Sequence, residues 1–184
     1  AKYEYSNYGF LLLGVIVERI TGQSYYQYVR DRIFAPAGMT ASGSEPEDRV
    51  VPDRSNGYMT QTGAWTLNTD TLPYRGTSAG GGYSTVQDLF RFATALTGHK
   101  LLDARYTGLL TTGKVATDRG DTYAYGFVDS VAGGQRCLGH GGGAPGMNGD
   151  LRIFPQSGYV VVALANIDMA AGQFTTWLVD RLPK

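Results

Sequence analysis

Val128-Asp129-Ser130-Val131-Ala132-Gly133-Gly134-Gln135-Arg136-Cys137-Leu138-Gly139-His140-Gly141 is the stretch that decides the fold. Polar and apolar residues alternate from Tyr123 to Val131, the period of a half-buried strand. Gly133-Gly134 suits a two-residue hairpin turn, in which both central positions need φ > 0. Gln135 to Gly141 then returns as the second strand. A second hairpin is predicted downstream, with Asp150 to Phe154 and Tyr159 to Ala165 on either side of Pro155-Gln156-Ser157-Gly158. Its run Val160-Val161-Val162-Ala163-Leu164 has the composition of a buried central strand. Ala171 to Leu182 reads as a closing helix.

Working upstream, the period changes to that of helices. Asn7 is placed to cap a helix from about Tyr8 to Ile20 with Gly22 as its stop. Leu11, Leu12, Val15, Ile16 and Ile20 make that helix apolar on most faces, which predicts deep burial. Ser24 opens a second helix, carried by Tyr25, Tyr28, Val29, Arg32 and Ile33 and ended by Pro36. Residues 40–75 are rich in Ser, Thr, Gly, Asp and Pro and read as a long irregular excursion of the functional kind. Ser84 and Gln87 are spaced as a capping box for a third helix with Val86, Leu89, Phe90, Ala93 and Leu96 on its inward stripe. A shorter helix is expected from Asp103 to Leu110. Helices first, then antiparallel hairpins, then a helix predict an α+β layer structure. The expected organisation is a single partial domain over 1–184, mainly helix and loop over 1–118 and antiparallel strands with the closing helix over 119–184.

Composition narrows the function classes. Hydrophobic residues make up 42% of the 184 and charged residues 17%, enough for a buried core. Lys+Arg and Asp+Glu are both 16, a balance without the basic face that nucleic acid requires. Cys137 is the only cysteine, which excludes an internal disulfide and a thiolate zinc cluster and reads as a small buried hydrophobe on a strand. Phe10 to Val17 is too short to span a bilayer. The opening Ala1-Lys2-Tyr3-Glu4 holds no signal peptide and reads like the interior of a longer protein, so it does not address export.

Two short motifs carry the chemistry. Tyr5-Ser6-Asn7 lies at one end of the chain and His140-Gly141-Gly142-Gly143 near the other. With them come Leu13-Gly14, Glu18 and Thr21-Gly22; Pro36-Ala37-Gly38-Met39; Gly57-Tyr58; Ala79-Gly80-Gly81-Gly82-Tyr83-Ser84-Thr85 with Asp88-Leu89; and Gly146, Pro155, Gly158 and Asn166. In this order and spacing the chain resembles the serine β-lactamase and penicillin-binding-protein superfamily, in the branch of class C β-lactamases, D-Ala-D-Ala peptidases and related esterases. Tyr5-Ser6-Asn7 is similar to the family's Tyr-x-Asn, and His140-Gly141-Gly142 stands where the family has Lys-Thr-Gly or His-x-Gly. The family's nucleophile sits in Ser-x-x-Lys, upstream of Tyr-x-Asn, and no serine of this chain has Lys three residues later. The resemblance therefore covers the C-terminal portion of a family member.

The resemblance implies a serine acyl hydrolase working through an acyl-enzyme, acting on small acyl compounds such as peptides, β-lactams or esters, without metal or organic cofactor. Periplasmic or secreted placement is what the family would imply. A phenol titrates at about 10 and is a poor base unless cations lower it; in this family the missing Lys does so, and Tyr5 would relay the proton. Asn7 would orient that Lys and the substrate amide. His140 would polarise Tyr5 or contact the leaving side of the substrate. Gly141, Gly142 and Gly143 would let substrate lie along the strand, with the Gly143 N–H as one oxyanion donor. His140 and Gly141, in place of Lys and Thr, favour a peptidase or esterase over β-lactam turnover. Alone, the chain is expected to be inactive. Its strand at 159–165 would be a bare edge, inviting a second copy or the N-terminal segment.

Two other readings compete. Gly76-Thr77-Ser78-Ala79-Gly80 fits the nucleophile elbow of an α/β-hydrolase, but no apolar strand precedes it and the lipase-like His140-Gly141-Gly142-Gly143 comes after it rather than before. A non-catalytic binding or scaffold domain of the same fold is the alternative from a different class.

Overall fold

The computed structural model describes residues 2–61 and 63–183. Helix α1 (Asn7–Thr21) is followed by α2 (Tyr25–Val29), a π-turn (Arg30–Phe34) and α3 (Ala35–Ala37), which form one continuous run. A hairpin of β1 (Tyr58–Gln61) and β2 (Ala64–Leu67) precedes helices α4 (Val86–Thr97) and α5 (Ala104–Thr111). The main sheet holds β3 (Val115–Ala116), β4 (Thr122–Tyr123), β5 (Val128–Ala132), β6 (Gln135–Ala144), β7 (Met147–Ile153) and β8 (Val160–Ala165), and α6 (Ala170–Val179) closes the fold. The six strands pair antiparallel in chain order. The α+β architecture expected from the sequence is the one observed.

The period of two along β6 sorts its side chains between two cores. Leu138 sits in register with Ile153, and Ile153 with Val160. This row packs with Ala93, Leu96, Ala124 and Phe127 under α4 and α5. Cys137 points the other way, into a second core with Phe154, Val161 and Val179 beneath α6. Burial pushes its thiol up to about 11, so it stays neutral. His140 shares the face of Leu138 and so turns toward the helical layer, while Gly141 shares the face of Cys137.

Several local expectations are corrected. The cap of α1 is Ser6, whose Oγ accepts from Gly9 N–H at 3.0 Å; Asn7 is already helical. The cap of α4 is Thr85, accepting from Asp88 N–H at 3.1 Å, so Ser84 and Gln87 do not form the capping box. On α4 the buried residues are Asp88, Ala93, Ala95 and Leu96, whereas Val86 and Phe90 are exposed. Pro36 does not end the second helix. The i→i−5 bond from Ala35 N–H to Arg30 O widens the preceding turn, so the pyrrolidine ring is accommodated and the helix stops at Gly38 (φ 73°). The 40–75 segment is not wholly irregular, since it contains the β1–β2 hairpin. Buried Asn68 at the foot of that hairpin donates to Pro145 O at 3.0 Å, bracing the β6–β7 turn. The alternating run 123–131 is two strands, broken where Gly126 takes φ 87°.

Two larger expectations also change. Strand β8 is the last of the sheet among the described residues, the edge expected at 159–165 and not the central strand its composition suggests; its apolar run reflects cover by α4 on one face and α6 on the other. Helix α1 is not deeply buried. Gly14 is its one buried residue among those described, and Leu13 is 53% and Ile20 79% exposed. Gly14 is tight because the loop carrying Ser78 lies on it; a Cβ there would stand 2.8 Å from the Cβ of Ser78.

Candidate active site

The helical layer and the sheet meet around a cavity of about 470 Å³, lined at one end by Tyr5, Phe10, Tyr123 and His140 and at the other by Tyr26, Arg75 and the turn around Ser78. Tyr5 comes from the extended approach to α1, held by the Ser6 cap. Tyr123 comes from β4 and His140 from β6. The ring centroids of Tyr5 and His140 are 6.0 Å apart, those of Tyr5 and Tyr123 6.1 Å, and those of Tyr123 and His140 5.7 Å. Tyr3 adds a fourth ring, 5.4 Å from Tyr123.

His140 has both nitrogens engaged. Nε2 lies 3.0 Å from the Tyr123 hydroxyl, and Nδ1 lies 2.7 Å from the carbonyl oxygen of Gly141. Burial, with Tyr5 and then Tyr3 nearby, pushes the Tyr123 phenol up to about 12, so it keeps its proton. The group in hydrogen-bond contact with His140 Nε2 is thus Tyr123 rather than Tyr5.

The other predicted positions gather less tightly. Asn7 stands exposed in the first turn of α1, two residues from Tyr5, and is not among the residues lining the cavity. Gly141, Gly142 and Gly143 are exposed along β6 beside His140. The last residue that β6 pairs with β5 is Gly139, opposite Val128, so beyond it this edge of the strand is open while the other edge stays paired with β7 through Ala144. An open edge of this kind offers main-chain donors and acceptors to an extended ligand.

Beneath that strand lies a polar seam. Asp150, opposite Gly141, accepts from Arg152 Nε at 2.9 Å and from the Thr175 hydroxyl of α6. Arg152 also donates to Thr176 Oγ1 at 2.9 Å. These bonds fix α6 against β7, the strand paired with the glycines.

Ser78 also faces the cavity, but not as a nucleophile elbow. Thr77 N–H bonds to Gly80 O at 2.7 Å and Gly80 N–H to Thr77 O at 3.0 Å, closing a tight turn over Ser78 and Ala79. An elbow joins a strand directly to a helix; here β2 ends at Leu67 and α4 begins at Val86. With an antiparallel sheet as well, the α/β-hydrolase reading fails. Gly76 and Gly81 of that segment pack backbone to backbone, and the contact with α1 is made by Ser78 against Gly14.

The family model for beta-lactamase matches residues 1–180. This chain belongs to the beta-lactamase family. Within that family it is 30% identical over 194 residues to penicillin-binding protein 4 of Amycolatopsis lactamdurans, a match taking in 93% of this chain and 49% of that protein. The penicillin binding protein from Bacillus halodurans is 32% identical with a TM-score of 0.93, over 98% of this chain and 57% of that one. A D-amino acid amidase from Ochrobactrum anthropi SV3, complexed with L-phenylalanine amide, is 26% identical with a TM-score of 0.76, over 89% of this chain and 50% of that one. The chain spans about half the length of these relatives.

Sequence reasoning singled out Tyr5 and His140, which meet at one cavity. It missed Tyr123. No local pattern marks that residue, because it reaches His140 only through the β4–β5–β6 register, with Tyr123 opposite Val128 and Val128 opposite Gly139.

Proposed function

We propose that this chain supplies one wall of a serine acyl hydrolase, and that the attacking serine and its lysine lie on polypeptide outside these 184 residues. The observation that carries this reading is the meeting of Tyr5 and His140, from opposite ends of the chain, across one cavity. In it, Tyr5 relays the proton between serine and leaving group. Asn7 orients the lysine and the substrate amide. His140 faces the leaving side of the substrate, which lies along Gly141, Gly142 and Gly143, and the Gly143 N–H helps bind the oxyanion. Substrates are small acyl compounds. Peptides, amides and esters are favoured over β-lactams, because Gly141 offers no hydroxyl to a ligand carboxylate. Residues 1–184 would then be a single part-domain, completed by a segment that covers α1 and pairs along the edge of β8 at 159–165; a second copy could occupy the same edge. The exposed apolar side chains of α1 support such a cover.

The test has two arms. The chain alone, given a p-nitrophenyl ester and a fluorescent penicillin, is expected to release no phenol and take up no label. The product of the complete reading frame is expected to do at least one. A complete product lacking Ser-x-x-Lys would replace this reading with that of a binding domain of the same fold, which the absence of that motif from these residues favours as the second choice.

A further inference from the structure

The hydrogen bonds of His140 determine where its proton sits. A carbonyl oxygen only accepts, so at 2.7 Å from Gly141 O the Nδ1 atom must be the protonated nitrogen of the neutral ring. That leaves Nε2 with a bare lone pair, and the nearest donor to it is the Tyr123 hydroxyl at 3.0 Å. We propose that Tyr123 is the positioning residue of His140, its O–H donating to Nε2 and, together with the Gly141 carbonyl on Nδ1, holding the Nδ1–H imidazole across the cavity from Tyr5. For the neutral ring this bonding pattern has one consistent placement of the hydrogens.

The lock changes what this wall presents. With Nε2 occupied, a proton or an N–H arriving from Tyr5 or a substrate reaches the imidazole only by displacing the Tyr123 hydroxyl. The group left free to accept is the Tyr123 oxygen, polarised by the bond it donates. The catalytic meaning of this arrangement rests on the hydrolase reading above; the tautomer itself does not.

The experiment therefore needs no turnover. The chain has two histidines, so long-range proton–nitrogen correlation spectra of the 15N-labelled protein resolve both rings. His99, whose Nδ1 lies 3.3 Å from Thr107 Oγ1, serves as the internal control for folding. The expected result is a protonated Nδ1 and a bare Nε2 on His140 in the wild type. In Tyr123→Phe the Nδ1 proton stays bonded to the Gly141 carbonyl, but the Nε2 resonance moves downfield because its lone pair has lost the donor, while the His99 signals stay in place. A wild-type ring protonated on Nε2 overturns the proposal without any variant, as does an unmoved His140 Nε2 resonance in a folded Tyr123→Phe chain. If Tyr123→Phe shifts the His99 signals, the wild-type spectrum decides alone. Failure of the hydrolase reading would show as absent acylation with the tautomer intact; failure of this one would show in the spectra whether or not the protein turns over.

Discussion

Helices α1 and α4 reverse the usual relation between composition and burial. Helix α1 is the more apolar, yet Leu11, Leu12, Leu13, Val15, Ile16 and Ile20 are all exposed. Helix α4 carries Asp, Arg, Gln and Thr among its twelve residues, yet seats Ala93, Ala95 and Leu96 in the core and buries Asp88 completely. The difference lies in their partners. Helix α4 lies on the β6–β7–β8 rows, and its carboxylate is met by Ala41 N–H at 2.7 Å, Ser42 Oγ at 2.8 Å and Arg91 Nη1 at 2.8 Å. Helix α1 meets the Ser78 turn at Gly14, α2 through the Tyr25 N–H bond to Glu18 Oε1 at 2.8 Å, and Tyr5 through Phe10, contacts that leave its large aliphatic side chains uncovered. A buried carboxylate with a full set of donors is secure, whereas an apolar helix without a lid leaves most of its burial energy unused, at roughly 1.5–3 kcal/mol for each large side chain.

The largest expected effect is at the buried carboxylate. Asp88→Ala should destabilise the chain by about 3–5 kcal/mol in urea unfolding, because three hydrogen bonds to a charged acceptor, from Ala41, Ser42 and Arg91, are lost together. Asp88 also sets a pH dependence. Burial acts to raise its pKa, but the hydrogen bonds from Ser42, Ala41 and Arg91 and the charge of Arg91 prevail and hold it below 3.8. Its contribution is therefore fully present above that unfolded value and lost as pH falls through the lower folded one. Acid titration of unfolding free energy should show this loss in wild type and not in Asp88→Asn.

Leu96→Ala, under the β-sheet, should cost about 3 kcal/mol. Leu13→Ala should change stability of the chain alone by no more than about 0.5 kcal/mol, and by roughly 2–4 kcal/mol in the product of the complete reading frame if α1 is covered there. Equal effects at Leu13 in the two settings would break the comparison. Gly14→Ala tests the contact of α1 with the Ser78 turn. Overpacking against Ser78 should cost about 1–3 kcal/mol, and Ser78→Gly should restore part of it in the double mutant. The smallest effect belongs to Ile20→Ser, within about 0.5 kcal/mol by thermal unfolding of the chain alone.

The same contrast explains what could be read before the structure. Element types followed from local chemistry: Gly133 and Gly134 take φ 57° and 79°, Gly22 takes φ 68° beyond α1, and Asp103 caps α5 through Tyr106 N–H. Caps slipped by one residue where two adjacent candidates, Ser6 and Asn7 or Ser84 and Thr85, satisfy the same pattern. Burial of α1 was misjudged because periodicity reports that a face is apolar, not what covers it. The stripe on α4 is met at Ala93 and Leu96 but not at Val86 and Phe90, and Asp88 looks like a solvent residue until Ala41 and Ser42 arrive from the segment before it.

The sequence alone determined the α+β succession, the hairpins and the two motifs that bear the family's signature, since turns, caps and alternation are written within a few residues of one another. Only the tertiary structure decided that Tyr123 bonds His140, that Asp88 is buried and that Ser78 packs on Gly14. Each depends on strand register or on the approach of segments far apart in the chain, and the energies that choose among such pairings come from packing and desolvation in three dimensions rather than from local order.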